Sequence, residues 1–145
     1  MTHLDTSINI AASTERVWDI LTDFPAYAAW NPFITAISGP LEAGAVLTVQ
    51  LTLPGKPVMS FKPLLKVVDR PRELRWAGQV LAPGLFDGEH AFEIERLEEG
   101  RCRLRHAEVF SGVLVPLFIP ALQDATRGGF EEMNQALKRR AEQTP

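Results

Sequence analysis

The sequence has little cysteine and no long apolar run. Cys102 is the only cysteine among 145 residues, which excludes an internal disulfide framework and any multi-cysteine zinc or iron–sulfur site. The longest strongly apolar stretch, residues 113–122, contains two prolines and is about half of the ~20 residues that a transmembrane helix needs. The first ten residues have no basic stretch followed by an apolar core, as a signal peptide would. We therefore expect a cytoplasmic protein without a transmembrane segment.

Positive charge is also scarce. Lys and Arg number 15 against 18 Asp and Glu, a net charge of −3, whereas binding to nucleic acid needs clustered excess Lys and Arg. Nucleic acid is therefore not an expected partner. The sequence also lacks a Gly-x-Ser-x-Gly elbow, a P-loop, a dinucleotide fingerprint and a His-Glu-x-x-His motif. Hydrolase, kinase and dehydrogenase functions thus have no support, and we expect no cofactor.

The composition is that of an ordinary globular chain, and its first third reads as a strand followed by two short helices. With 46% hydrophobic and 23% charged residues, we expect one domain over residues 1–145. Apolar and polar residues alternate over residues 4–10, which predicts a half-buried strand. Ser13 is a suitable N-cap for the helix that follows. Pro25 can begin a second short helix, which should end before Pro32.

The middle of the chain shows a β pattern, and its end shows a helical one. Gly- and Pro-bearing connections separate six segments of strand character, and Pro63 within the third implies a bulge or an edge position. Apolar residues at helical spacing then predict a long helix over residues 121–142. Its Gly128-Gly129 pair suits a close backbone approach or a kink, or an irregular helix start. The six predicted strands are residues 33–38, 45–53, 58–69, 72–81, 86–97 and 101–111.

Charge sets the register of the last two strands. If the hairpin turns at residues 98–100, Arg103 falls opposite Glu95 and Arg105 opposite Glu93, and these opposite charges belong on the solvent face. The other face then points inward. In this register His90 lies opposite Glu108, and His106 lies beside them in an otherwise apolar lining.

These three inward polar residues admit more than one interpretation. A buried carboxylate needs a hydrogen-bonding or charged partner, and His90 can supply it to Glu108. The pair is then a polar recognition point in a ligand cavity, an acid–base pair, or a purely structural contact. His90, His106 and Glu108 are also conceivable zinc or iron ligands, although nothing in the pattern demands a metal and we expect none. The numerous aromatic residues are likewise open to two interpretations, a packed core or a pocket wall.

Three segments give the chain a family resemblance: ASTERVWDILTDFPAYAAWNPF near the front, GEHAFEIE in the penultimate predicted strand and RGGFEEMNQALKRRAE at the end. Together with the order of elements, they resemble the SRPBCC superfamily, the START-like group of polyketide cyclases/dehydrases and lipid-transport proteins. The resemblance covers essentially the whole chain. It implies an α+β helix-grip fold, in which a seven-stranded antiparallel sheet wraps around the long C-terminal helix and two short helices follow the first strand.

The resemblance also implies a function. Such proteins enclose a hydrophobic cavity between sheet and helix, which favours binding, and possible transport, of a hydrophobic or aromatic small molecule such as a lipid, sterol or polyketide. Residues 113–122 would form an apolar loop that acts as a lid or a dimer contact, in a monomer or homodimer. The catalytic candidates are His90, Glu108 and His106. The expected ligand-binding residues are Trp18, Phe24, Trp30, Phe33, Trp76, Phe86, His90, Phe92, His106, Glu108, Phe110, Phe118, Phe130 and Met133.

Two other functions remain open for a chain of this kind. One is a cyclase/dehydratase or isomerase that uses His90 and Glu108 as an acid–base pair without a cofactor. The other is a co-chaperone-like module that binds a protein through its outer surface. Replacing Glu108 with Gln distinguishes them, because turnover then disappears only in the enzyme.

Overall fold

A computed structural model describes residues 1–80 and 82–143 of the chain. Strands and helices follow the predicted order, with a single 3₁₀ turn, Phe24–Ala26, between the first two helices. The elements are β1 (Thr2–Ile10), α1 (Thr14–Thr22), α2 (Tyr27–Trp30), β2 (Ile34–Ser38), β3 (Thr48–Leu51), β4 (Met59–Phe61), β5 (Leu64–Asp69), β6 (Glu73–Val80), β7 (Phe86–Glu98), β8 (Arg101–Ser111) and α3 (Val115–Glu142).

The strands form two antiparallel sheets where the sequence predicted one. The larger sheet has the order β1-β8-β7-β6-β5, and the smaller has the order β2-β3-β4. The predicted seven strands become eight among the described residues, because the segment 58–69 is divided at Pro63 between β4 and β5. Proline has no N–H to donate to a strand ladder, so the chain leaves the small sheet here and enters the large one. The last residue of the predicted strand 72–81, Leu81, lies outside the described residues.

Local signals explain where the helices begin and end. The Ser13 hydroxyl accepts a hydrogen bond from the Arg16 amide at 3.1 Å and so caps α1, as the sequence predicted. Helix α3 begins at Val115, so the predicted apolar loop over residues 113–122 is wrong. Pro116 occupies the first turn, where its missing N–H removes no helical hydrogen bond, and Pro120 is tolerated one turn later. Residues 115–122 of the predicted loop therefore belong to the helix.

The predicted register of the last hairpin is confirmed. β7 and β8 pair Glu95 with Arg103, Glu93 with Arg105, and His90 with Glu108. Arg105 binds Glu93 at 2.8 Å, and Arg103 lies 3.6 Å from Glu95, so these charges occupy the outer face of the sheet. The inner face packs with α1 and α3 around an apolar core. No helix in the described part of the chain is long and apolar enough to cross a membrane.

Candidate functional site

A cavity of about 570 Å³ lies between the two sheets and the first half of α3. This volume is within the range of small-molecule sites, about 300–1,000 Å³. Its wall is mostly apolar and aromatic. The residues that line it are Phe33, Leu51, Leu53, Met59, Ser60, Phe61, Trp76, Gly78, Gln79, Phe86, Gly88, His90, Glu108, Phe110, Phe118, Ile119, Leu122 and Thr126.

Half of the residues expected to bind a ligand lie on this wall. They come from the bend just before β2, from the inner face of β6–β8 and from the first turn of α3. These residues are Phe33, Trp76, Phe86, His90, Glu108, Phe110 and Phe118.

The other expected residues are buried elsewhere or stand behind the wall. Trp18 and Phe24 pack in the core, and Trp30 is half-buried against Tyr27. His106, Phe92, Phe130 and Met133 form a layer behind His90 and are 1% exposed or less. The aromatic rings of this layer support the site from behind. His106 stacks on Phe130 with ring centroids 4.0 Å apart.

The sequence did not single out the part of the wall that the small sheet provides. Leu51 ends β3, Leu53 lies two residues after it, and Met59 and Phe61 belong to β4. Their alternation predicted strands, but the pattern carries no signal that these strands leave the large sheet and close over the cavity. From α3, Ile119 is on a segment that was expected to be a loop.

A chain of hydrogen bonds leads from the cavity into the core. Glu108 Oε1 is 3.1 Å from His90 Nδ1, and His90 Nε2 is 2.7 Å from His106 Nε2. His106 Nδ1 is 2.9 Å from Oδ1 of Asn134, which α3 contributes. The Asn134 amide donates to the Thr6 hydroxyl of β1 at 2.9 Å, and that hydroxyl donates to the His106 carbonyl at 2.8 Å. We call these five residues the relay.

The partners in the relay determine where its protons lie. Because the Asn134 oxygen can only accept, His106 Nδ1 carries a proton. Burial, together with the neighbouring His90, holds the pKa of His106 well below its usual value, so His106 is neutral and its Nε2 accepts from His90. His90 Nε2 therefore carries a proton as well. The tautomers of both rings follow from the amide of Asn134.

One proton remains to be placed, between His90 and Glu108. A neutral His90 with Nε2–H has a lone pair at Nδ1, so the contact with Glu108 requires a proton on one of the two atoms. Either Glu108 is protonated and donates, or His90 is an imidazolium and Glu108 a carboxylate. In both arrangements the pair is neutral in sum. The cavity wall thus carries a single mobile proton, which is what general acid–base chemistry uses.

Gly88 makes room for the Glu108 carboxylate. Gly88 pairs with Phe110 on the neighbouring strand, and a Cβ added at position 88 would collide with Glu108 Oε2. That oxygen has no hydrogen-bond partner within the described residues, whereas Oε1 contacts His90. The Glu108 side chain is 17% exposed and the His90 side chain 6%. Oε2 is therefore the polar atom that the pair offers to a ligand.

The described residues of the site are not arranged as a metal-binding group or around a reactive thiol. In residues 1–80 and 82–143, no three His, Cys, Asp or Glu side chains are grouped to hold a metal ion. The Nε2 atoms of His90 and His106 are bound to each other rather than directed at a common point. Cys102 is buried, and burial raises the pKa of its thiol to about 11, so the thiolate that would act as nucleophile does not form near neutral pH.

Solved structures share this fold. The Zhui aromatase/cyclase of a Streptomyces species superposes with a TM-score of 0.79 and 17% identity, over 97% of this chain and 93% of that chain. A START superfamily protein of Mycobacterium smegmatis gives 0.76 and 21%, over 97% of both chains. Norcoclaurine synthase of Thalictrum flavum, in complex with dopamine and hydroxybenzaldehyde, gives 0.73 and 12%, over 99% and 89%. No curated protein matches the sequence.

A family profile gives the stronger result, because it matches nearly the whole length of the chain. The profile is described as Polyketide cyclase / dehydrase and lipid transport, and it matches residues 1–142. The solved structures agree with it in fold, with the large antiparallel sheet and the long C-terminal helix of START-like proteins. This chain therefore belongs to the polyketide cyclase/dehydrase and lipid-transport family.

Proposed function

We propose that the protein binds a hydrophobic or aromatic small molecule in the cavity between its sheets and α3. The observation that carries this proposal is an apolar cavity of about 570 Å³ whose wall holds one polar pair, the buried His90 and the partly buried Glu108. Apolar walls supply affinity, and a few placed polar groups supply orientation. Phe118 of α3, Phe61 of β4, and Trp76, Phe86 and Phe110 of the large sheet line the cavity, so a ligand would lie among rings from both sheets and α3.

Binding is tested first on the protein as purified. Native protein is denatured and extracted, and the extract is analysed by mass spectrometry. A thermal-shift panel of sterols, quinones, aromatic polyketides and fatty acids follows. A ligand at about 100 times its dissociation constant should stabilise the fold by ~2.7 kcal/mol. For a chain of this size, each kcal/mol of stabilisation raises Tm by roughly 3 °C.

A variant with a filled cavity locates the binding site. Leu122 lines the cavity, whereas Asp124, two residues later on the same helix, is exposed and does not. We expect Leu122→Trp to abolish the shift caused by any active compound, because the indole occupies the ligand's volume. Asp124→Trp, the matched control, should retain it. A shift that survives in a folded Leu122→Trp variant contradicts binding in this cavity.

The mobile proton favours a second candidate function, an enzyme that transfers a proton to or from the bound molecule. Glu108 lines the cavity, and its Oε2 makes no hydrogen bond within the described residues. Its partner His90 is held in one tautomer by the relay. As a carboxylate beside an imidazolium, Glu108 can accept a proton from a ligand carbon or oxygen. Cyclase, dehydratase and isomerase reactions all contain such a step.

Hydrogen–deuterium exchange detects that step without knowledge of the reaction. The probe is 2-tetralone, an uncharged bicyclic ketone with exchangeable hydrogens beside its carbonyl, incubated with the protein in D₂O. The wild-type protein should accelerate deuterium uptake. In Glu108→Gln this acceleration should be at least about 100-fold smaller, while the affinity for 2-tetralone changes little. Equal uptake with the two proteins contradicts the enzymatic function and leaves the binding function in place.

A further inference from the structure

We propose that the cavity selects an uncharged ligand that bears a hydroxyl group and places it against Glu108 Oε2. This inference rests on the proposed binding function and names the class of ligand. Among the described residues that line the cavity, none is Lys or Arg, and His90 and Glu108 are the titratable ones. The other polar lining residues, Ser60, Gln79 and Thr126, are uncharged.

The relay fixes the charge of the titratable pair. The Thr6 hydroxyl and the Asn134 amide set the direction of donation through His106 to His90. One proton is then shared between His90 Nδ1 and Glu108 Oε1. The pair is neutral in sum wherever that proton lies. A ligand in the cavity thus meets a wall without net charge.

A charged ligand has no counter-ion in such a wall. A carboxylate or phosphate would lose its hydration and find no cation within the lining, which is costly in an apolar site. An ammonium group would need Glu108 as a carboxylate, but its charge is already matched by the imidazolium of His90. Both kinds of charged ligand are therefore disfavoured relative to an uncharged one of the same shape.

The free oxygen of Glu108 specifies the polar group of the ligand. In both proton arrangements the shared proton is on the Oε1 side, so Oε2 is an acceptor that lacks a donor in the described structure. An alcohol or a phenol can donate to it, whereas an ether cannot. An unfilled acceptor in a desolvated site weakens binding of a ligand that provides no donor. The hydroxyl is therefore the group that the site recognises.

Four probes with one ring system test this selectivity. They are 1-pyrenemethanol, its methyl ether, 1-pyrenecarboxylate and 1-pyrenemethylammonium, and their binding is followed by pyrene fluorescence at pH 7. We expect the alcohol to bind roughly tenfold or more tightly than each of the other three. A carboxylate, ammonium or ether that binds as tightly as the alcohol overturns this inference but leaves the proposed function standing. Binding of none of the four overturns both.

An added cation provides the matched test. Thr126 lines the cavity on α3, and Gln123, one turn earlier, does not. Thr126→Arg should tighten binding of the pyrenecarboxylate roughly tenfold or more relative to the alcohol, and the control Gln123→Arg should leave the ratio unchanged. The inference fails if a folded Thr126→Arg variant still binds the alcohol and has the wild-type ratio of affinities for carboxylate and alcohol. In that case the lack of a cation is not what excludes anions.

Discussion

At the scale of single residues, two glycines decide where the side chains of the site can lie. Gly88 leaves the space that the Glu108 carboxylate occupies. Gly129 brings α3 close to the Phe33 ring, since a Cβ at this position would lie 2.5 Å from Phe33 Cδ1. A Cβ at Gly128 would meet no described atom within 4 Å. The close-approach interpretation of the glycine pair therefore holds for Gly129 and not for its neighbour.

The sequence predicted the contact between His90 and Glu108 in the relay but not the contacts of Asn134 and Thr6. Strand alternation and the turn at Gly100 fix the register of β7 and β8, and this register places His90 opposite Glu108. The contacts of Asn134 and Thr6 depend on how α3 is rotated and translated against β1. Sequence periodicity identifies the apolar face of a helix but not this placement, which core packing determines.

At the scale of elements, the C-terminal end of α3 is held by a side chain from α1. Arg16 Nε donates to the Ala141 carbonyl at 2.6 Å, and Arg16 Nη2 donates to the carbonyls of Arg140 and Gln143 at 3.2 and 3.0 Å. The last carbonyls of a helix lack partners within the helix, and a cation there also matches the negative end of the helix dipole. Arg16 thus caps α3 across more than 120 residues of sequence.

Arg16→Met should therefore destabilise the fold by about 1–3 kcal/mol, because it keeps the apolar stem but removes the donors. The measurement is the free energy of unfolding in urea. Arg139→Met is the control, since Arg139 is an exposed residue in the last turn of α3 and its loss changes the net charge by the same amount. Equal destabilisation by the two substitutions would show that charge, and not the cap, is responsible.

Prolines account for two differences between the predicted and the observed elements. Pro63 divides one predicted strand into β4 and β5, and the sequence indicated only a bulge or an edge at this point. Pro116 and Pro120 suggested a loop where α3 in fact begins. In each case proline restricts the backbone locally, but tertiary contacts decide between the conformations that it still allows. Phe118 and Ile119, for example, pack onto the cavity as part of the helix.

At the scale of the whole molecule, the cavity exists because two sheets and one helix share its wall. On one side of the cavity, the ring of Phe86 in the large sheet contacts the ring of Phe118 in α3, with centroids 6.1 Å apart. Here the small sheet closes the remaining side with Leu51 and Phe61. The family resemblance predicted a cavity between sheet and helix. Alternation alone did not predict that β2–β4 separate into a second sheet and add Leu51, Met59, Ser60 and Phe61 to the wall.

The relay also makes the stability of the whole molecule depend on pH. His106 is fully buried, faces His90 and Asn134, and stacks on Phe130. Burial and His90 hold its pKa well below the usual value. In the unfolded chain the same histidine takes up a proton near pH 6.5. Below this pH the unfolded state binds a proton that the native state does not, so stability is fully present above about pH 6.5 and is lost as the pH falls.

The expected loss attributable to His106 is about 1.4 kcal/mol per pH unit below 6.5, for as long as the native histidine stays neutral. Urea unfolding at pH 7.5 and at pH 5.5 measures it. Wild-type protein should lose roughly 1.4 kcal/mol more than His106→Gln between these two values, whereas His3→Gln, which removes an exposed histidine from β1, should behave as the wild type. If wild type and His106→Gln lose the same stability, His106 takes up its proton in the native state too. This result would refute a neutral His106 whose Nε2 accepts from His90, on which the proton arrangement of the relay depends.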